Sequence, residues 1–196
     1  MQAVYTRKAM SGDVPNFEIS GYLGSITLTQ KTWETAAAIG EERRNMALKG
    51  NYQRAVKNPE RQKRADLKGA IAEIGFIENM QFIAEVNDLD FSRSALILDQ
   101  PDATADIFVG GMKFDIKGCA GLVEGFTNRD DKKLIINCKQ HDVLYKDYTG
   151  YFFVKSYADR QDIFYVSRAD VENWEKDPGF PREGGAYYWR NIPKVN

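Results

Sequence analysis

Two aspartates and a lysine in the segment 105–118 (ADIFVGGMKFDIKG) have the types and spacing that could do chemistry. The Gly-Gly pair at 110–111 separates two runs of alternating apolar residues. This pattern is typical of a two-residue β-hairpin, because both glycines can adopt positive φ. With the turn at these glycines, Asp106 lies opposite Asp115, and Lys117 follows two residues later on the same face.

The two faces of this predicted hairpin differ in chemistry. Strands are predicted over Asp106–Val109 and Met112–Lys117. One face is apolar throughout and is therefore predicted to face the core; it carries Ile107, Val109, Met112, Phe114 and Ile116. The other face carries Asp106, Phe108, Lys113, Asp115 and Lys117.

The opposed aspartates predict a metal site. Directly opposite residues in an antiparallel pair have Cβ atoms roughly 4.5–5.5 Å apart, so two carboxylates there repel each other. A divalent cation between Asp106 and Asp115 converts that repulsion into coordination, and hard carboxylate oxygens suit Mg²⁺ or Mn²⁺. Lys117 is placed to reach an attacking water or a phosphate oxygen. Two acids that hold a metal, with a lysine beside them, are the parts needed for phosphodiester hydrolysis. The alternative is a surface hairpin whose acids and lysines merely form ion pairs.

Helical periodicity precedes the hairpin. The pattern predicts a helix over about Gln30–Lys49, after a short strand or hairpin within Ser20–Thr29. A second helix is predicted over about Arg64–Val86, where apolar residues recur every three or four positions. Between the two helices, Asn51–Arg64 is polar, basic and interrupted by Pro59, which predicts a surface loop with a short helix.

After the hairpin the pattern predicts mainly strands. Strands are expected at Lys133–Asn137, Tyr151–Ser156 and Asp162–Ser167, with short helices at Lys139–Asp147 and Asp170–Trp174. The chain ends with the aromatic cluster Tyr187, Tyr188 and Trp189, which more often packs a tail onto the core than stacks on bases. Helices followed by a mixed sheet predict an α/β or α+β sandwich.

Composition narrows the class of protein. The 196 residues are 43% hydrophobic and 28% charged, which suits one globular domain over 1–196. With no long apolar run and no signal-peptide pattern, we expect a cytoplasmic protein with no membrane partner. Two cysteines (Cys119 and Cys138) and one histidine (His141) nearly exclude Cys/His zinc chemistry, and both cysteines are expected to be reduced.

The segment ADIFVGGMKFDIKG resembles the PD-(D/E)xK nuclease superfamily, the restriction-endonuclease-like fold. Asp106 matches the first acid of that motif, Asp115 the second and Lys117 the lysine. Pro101-Asp102 is a competing match to the first two letters, but it lies out of hairpin register. Asp115 stands where glutamate is commoner, a change that the family tolerates.

The resemblance covers about residues 67–167 and implies roles for further residues. The helix before the hairpin (KGAIAEIGF) implies that Glu73 supports the metal, directly or through water, while the main-chain carbonyl of Ile116 is a further implied ligand. On the helix after the third strand, Gln140 is a candidate to orient water or contact phosphate. Tyr145 follows it by five residues rather than the four of the exonuclease branch, so that subtype is not assigned. His141 beside it is as well explained by a surface or helix-capping role.

The basic stretch between Glu41 and Lys68 is a candidate DNA contact. It holds nine Lys or Arg against four Asp or Glu, whereas the whole chain has a net charge of −1. Backbone phosphates attract such clusters, although a solvated helix face has the same composition. The candidates are Arg54, Lys57, Arg61, Lys63 and Arg64.

The resemblance implies a single-domain, restriction-endonuclease-like α/β fold, a mixed sheet flanked by helices with an N-terminal helical extension. It implies Mg²⁺-dependent hydrolysis of DNA, with Mn²⁺ expected to substitute and internal cleavage favoured over cleavage from ends. RNA as substrate stays open, as does a homodimer, since several members of the superfamily are dimers. The alternatives are a non-cleaving nucleic-acid- or protein-binding module on the same fold, and a hydrolase of other phosphodiesters.

Overall fold

The computed structural model describes residues 20–49, 59–86, 91–93, 105–119, 133–178 and 186–192. The helices are α1 (Gln30–Lys49), α2 (Pro59–Val86) and the short α3 (Arg168–Val171), and a π turn spans Gln140–Leu144. The strands are β1 (Gly21–Thr27), β2 (Phe91–Arg93), β3 (Ile107–Val109), β4 (Met112–Cys119), β5 (Lys133–Asn137), β6 (Gly150–Ser156), β7 (Arg160–Ser167), β8 (Glu175–Asp177) and β9 (Tyr187–Asn191).

The larger sheet is mixed and has the strand order β1-β7-β6-β4-β3-β2. Only β4 and β6 run parallel, while the other neighbours are antiparallel. Parallel neighbours need a crossover connection, and here the chain between β4 and β6 passes through β5 and the π turn. The mixed α/β architecture expected from the sequence is therefore confirmed.

The hairpin has the predicted register. Ile107 pairs with Phe114, and Val109 pairs with Met112. Gly110 and Gly111 have φ values of 55° and 78°, the positive-φ pair that a tight hairpin turn requires. One assignment to the core face is wrong: Met112, which directly follows the turn, is 36% exposed.

A smaller sheet has the order β5-β9-β8. The aromatic tail is therefore a strand, β9, which pairs antiparallel with β5 and β8. The ring of Trp189 on β9 packs under Lys133 of β5, with Nζ 3.8 Å from the ring centroid. The sequence pattern missed this strand because β5, with which all five of its residues pair, is distant in the chain.

The helix α1 has the predicted bounds, but α2 begins earlier than predicted. Pro59 does not interrupt a loop; it starts the helix, because the first turn of a helix needs no N–H donor and favours the fixed φ of proline. Gly40 brings α1 close to α2, since a β-carbon there would lie 3.2 Å from Leu67 Cα. Gly118 likewise lets β4 approach α2: its β-carbon would lie 3.0 Å from the Lys68 carbonyl oxygen.

Both faces of the larger sheet are covered. Side chains of α2 such as Phe76 and Met80 pack with Phe114 and Phe152 on one face. On the other face lies a second cluster, which joins the sheet to the smaller sheet and to the segment after α3; it contains Leu134, Ile136, Tyr151, Phe153, Phe164 and Trp174. Among the described residues, neither long helix has the apolar run that would cross a membrane.

Candidate active site at the open edge of β4

The candidate site forms at the first residue of β3, where the neighbouring strand β4 continues past it. The last ladder pair is Ile107 with Phe114, and no other strand in the described part of the chain pairs with the next residues of β4 on that side. The side chain of Asp106 takes the place of a neighbouring strand here, because its Oδ2 accepts a hydrogen bond from the main-chain N–H of Ile116 at 2.7 Å. Asp106 therefore stands directly before the first residue of β3, as the motif order predicts, and its carboxylate is fixed beside Ile116 of β4.

Asp115 and Lys117 lie on the face of β4 opposite α2. Lys117 Nζ is 2.7 Å from Asp115 Oδ2, and the Asp115 side chain is only 7% exposed. The approach is close but poorly aligned, so this buried oxygen has an ion-pair partner and no aligned hydrogen-bond donor. Burial alone would lower the pKa of Lys117, but Asp115 and Asp106 raise it above its ordinary value, so the lysine stays cationic.

The carboxylates of the site repel one another. Burial raises the pKa of Asp106 well above its ordinary value, and the charges of Asp115 and Glu73 raise it further. The hydrogen bond from Ile116 opposes this shift without cancelling it. In the protein without a cation, ionisation of Asp106 is therefore disfavoured by both burial and its acidic neighbours.

Glu73 projects from α2 toward this acid pair but is held by a residue that the sequence analysis missed. Arg43 of α1 binds it through both guanidinium ends: Nη1 donates to Oε1 at 2.9 Å, and Nη2 donates to Oε2. Burial raises the pKa of Glu73, and Arg43 counteracts that shift. The ion pair with Arg43 therefore accounts for the presence of the Glu73 carboxylate on an apolar helix face. No local pattern singles out Arg43, since basic residues are common on α1.

The π turn brings tyrosines to the site. Tyr145 lies under Lys117, with Nζ 5.0 Å from the ring centroid, and its hydroxyl interacts with Asp115. Tyr148 packs against Tyr145 with ring centroids 4.5 Å apart. Burial and then the negative charge of Asp115 raise the pKa of both phenols, so both stay protonated and able to donate.

Gln140 begins the π turn. Its carbonyl accepts from Tyr145 N–H at 2.8 Å, an i→i+5 hydrogen bond. Such a turn places Tyr145 one turn above Gln140, as a spacing of four would in an α-helix. The five-residue spacing between Gln140 and Tyr145 could therefore have indicated that Tyr145 belongs to the site. Sequence periodicity does not reveal a π turn, so this indication was not used. The role predicted for the Gln140 side chain stays a prediction.

The neighbouring His141 is buried, not at the surface as one expectation held. It is 1% exposed, and its Nδ1 lies 2.8 Å from the Tyr151 hydroxyl. Burial and the charge of Arg168 lower its pKa, so it is neutral at pH 7. Cys119 and Cys138 are buried free thiols, as expected.

The donor chemistry of the site fits a hard divalent cation. Asp106 and Asp115 offer carboxylate oxygens at one edge, and Asp115 Oδ2 is buried without an aligned donor. Within the described ranges, no three His, Cys, Asp or Glu side chains converge closely enough to hold a metal between them. Mg²⁺ does not need three, because it keeps several waters and takes one or two carboxylates together with substrate phosphate.

The predicted basic contacts are only partly placed. Lys63 and Arg64 are exposed on the first turns of α2, and Arg61 belongs to the same helix. Arg54 and Lys57 lie outside the described residues, as do Pro101 and Asp102. Exposed Lys63 and Arg64 are available to a polyanion, but their position alone does not distinguish a DNA contact from a solvated helix face.

The structure thus brings Asp106, Asp115, Lys117 and Glu73 to one place, and it adds Arg43 and Tyr145. The acids and the lysine were found from hairpin register, which is a local property. Arg43 and Tyr145 come from other elements, and only the fold joins them to the site. In comparisons with known proteins, no family model, no curated protein and no solved structure matches the chain.

Proposed function

We propose that this protein is a metal-dependent nuclease that hydrolyses DNA phosphodiester bonds, with internal cleavage favoured. The observation that carries the proposal is the buried cluster at the open edge of β4. There the carboxylates of Asp106 and Asp115 repel each other, and Lys117 forms an ion pair with Asp115. A fold selected only for stability would avoid such a cluster, because burying like charges is costly.

The restriction-endonuclease-like fold is part of the proposal. A long helix packed on one face of a mixed sheet, a hairpin with both acids, and a helical turn after the next strand support it. The acids at the end of the hairpin and Glu73 on the preceding helix also follow the order of the motif.

Asp106 and Asp115 would hold the metal, with the Ile116 carbonyl as a further ligand. When bound, Mg²⁺ would acidify a water and neutralise the charge that develops on the phosphate. The Asp106 carboxylate is fixed by the Ile116 N–H, and Asp115 is fixed by Lys117. Each acid is thus held by a contact with β4, which favours catalysis because little reorganisation is needed.

Lys117 acts mainly as a cation in this arrangement. Since its pKa lies above the ordinary value beside Asp115, it holds its proton at neutral pH. It would therefore orient the attacking water and stabilise negative charge on the phosphate, rather than remove a proton from the resting state. The Tyr145 ring, 5.0 Å from Nζ, limits where the ammonium can move.

The test is cleavage of linear, circular, single-stranded and branched DNA with Mg²⁺ or Mn²⁺. Wild type would be compared with Asp115→Ala and Lys117→Ala. We expect metal-dependent products in wild type, including nicked or linearised circles, and none in either variant. If wild type cuts no DNA yet binds it as well as the variants do, the site is not a nuclease centre and a binding module is the better account.

Hydrolysis of small phosphodiesters is measured alongside. Activity on these compounds without activity on DNA would contradict the proposed substrate while retaining the metal chemistry. RNA substrates in the same panel would show whether the site distinguishes the two nucleic acids.

A further inference from the structure

We propose that Arg43 limits the site to one divalent ion by occupying both carboxylate oxygens of Glu73. This inference rests on the proposed metal-dependent function and assigns Arg43 as a positioning residue. Glu73 then tunes the charge of the site from outside the coordination sphere. The arginine thereby takes the place at Glu73 that a second cation would otherwise occupy.

The geometry of the pair supports this role. Both guanidinium ends of Arg43 donate to Glu73, which is the bidentate arrangement that fixes a carboxylate most firmly. The side chains are 11% and 13% exposed, so water competes little for the contact. A cation that recruited Glu73 as a ligand would have to displace a buried guanidinium and leave that charge without its partner, which is strongly unfavourable.

The charges of the cluster also fit a single ion. Glu73, Asp106 and Asp115 carry three negative charges when ionised, and Arg43 and Lys117 carry two positive charges. One divalent ion leaves a single positive charge, which matches one phosphodiester. A second ion would leave a surplus of three positive charges in a buried site. Burial opposes the charge of Arg43, but Glu73 and then Asp106 raise its pKa above the ordinary value, so the guanidinium interacts with one of the two metal-binding acids as well as with Glu73.

The packing of α1 against α2 keeps space for this pair. Gly69 precedes Glu73 by one helical turn, and a β-carbon there would lie 3.7 Å from Arg43 Nη1 and 3.9 Å from Glu73 Oε1. Any longer side chain at this position would compete for the volume that the guanidinium occupies. Arg43 is therefore seated between the two helices rather than lying on an open surface.

The experiment counts bound Mn²⁺ by calorimetry and by electron paramagnetic resonance of the free ion, with no DNA present. The variants are Arg43→Met, Glu73→Gln and the double variant. Arg44→Met is the matched control, because Arg44 is the next residue and pairs with exposed Glu41 instead. Circular dichroism checks that each variant is folded.

We expect one Mn²⁺ in wild type and in Arg44→Met, and two in Arg43→Met, where both oxygens of Glu73 become available. Glu73→Gln should still bind one ion, with an affinity loss of no more than about 100-fold, which is the upper range for a residue outside the coordination sphere. The double variant should return to one ion.

One ion in Arg43→Met, two ions in wild type, or an affinity loss beyond about 100-fold in Glu73→Gln would each overturn the inference. The first and third results leave the proposed nuclease function standing. Absence of Mn²⁺ binding in wild type would instead contradict both. If Arg43→Met does not fold, the Mn²⁺ affinity of Glu73→Gln decides whether Glu73 is a ligand of the metal.

Discussion

Two clusters of buried polar groups lie on neighbouring parts of the same sheet, and they are built in opposite ways. At the edge of β4, the acids Asp106 and Asp115 share a small volume, and Lys117 contacts only one of them closely. Behind the π turn, Arg168 donates to the carbonyl oxygens of His141 at 2.7 Å and of Tyr145 at 3.1 Å. The first cluster concentrates like charge, whereas in the second one cation donates to neutral acceptors and its ion pair with exposed Glu172 is long, at 4.0 Å.

This difference in charge distinguishes a cluster with a functional role from one that stabilises the fold. Neutral acceptors that receive hydrogen bonds stabilise a fold, and the second cluster is of this kind. Buried carboxylates that repel each other destabilise the fold, so their presence needs another reason, which is a bound cation in our account. The two clusters are connected, because Arg168 fixes the π turn that places Tyr145 under Lys117.

The largest expected effect is on catalysis. Lys117→Met keeps the bulk of the side chain and removes its charge, so DNA hydrolysis should fall by about 10²- to 10⁴-fold. Lys113→Met is the control, because Lys113 lies on the same strand but pairs with exposed Asp147 rather than with Asp115. Single-turnover cleavage measures both variants. Equal losses in the two would contradict a specific role for Lys117.

Arg168→Met should give the next largest effect, this time on stability. The variant leaves the carbonyl oxygens of His141 and Tyr145 without their donor, at a cost of about 2–4 kcal/mol in the free energy of unfolding. Urea denaturation measures it, with exposed Arg160→Met as control. A change below about 0.5 kcal/mol would show that the π turn does not depend on Arg168.

Asp106→Asn should change stability in the opposite direction. Without metal the asparagine can still accept from the Ile116 N–H, while its charge no longer repels Asp115 and Glu73. We expect the metal-free variant to be about 1–3 kcal/mol more stable than wild type at pH 7. Urea denaturation in the presence of a chelator measures this. A destabilised variant would contradict the repulsion on which our comparison of the clusters depends.

The smallest expected effect is a pH dependence that originates in the second cluster. His141 contacts Tyr151 and Arg168, and it also lies within range of the charges of Asp142 and Glu172. Its pKa in the folded protein is lowered, mainly by burial, so the unfolded chain binds the proton more readily. The resulting stability is present above the ordinary pKa of about 6.5 and is lost as the pH falls below it.

Since His141 is the only histidine, this dependence can be isolated. Thermal unfolding between pH 5 and about 7.5 in wild type and in His141→Gln measures it. The variant should show a weaker loss of stability toward pH 5. The same slope in both proteins would assign the dependence to other groups.

The sequence predicted the parts of the molecule that depend on local pattern. Hairpin register followed from alternation and a Gly-Gly turn, and it placed Asp106, Asp115 and Lys117 together. The helix α1 followed from its periodicity. What the sequence did not predict depends on contacts between distant segments: β9 needs β5, and Arg43 meets Glu73 only because α1 packs on α2. The start of α2 was missed because Pro59 was taken as a helix breaker rather than a first-turn residue.

The most direct test of the central claim is the effect of Mg²⁺ on thermal stability. Binding to the folded state alone stabilises it by about 2.7 kcal/mol at a hundredfold excess over Kd, which corresponds to about 5–10 °C for a chain of this size. We predict such a rise in Tm with Mg²⁺ for wild type, and none for the double variant Asp106→Asn/Asp115→Asn. No rise in wild type, or an equal rise in the variant, would contradict a metal site at the edge of β4.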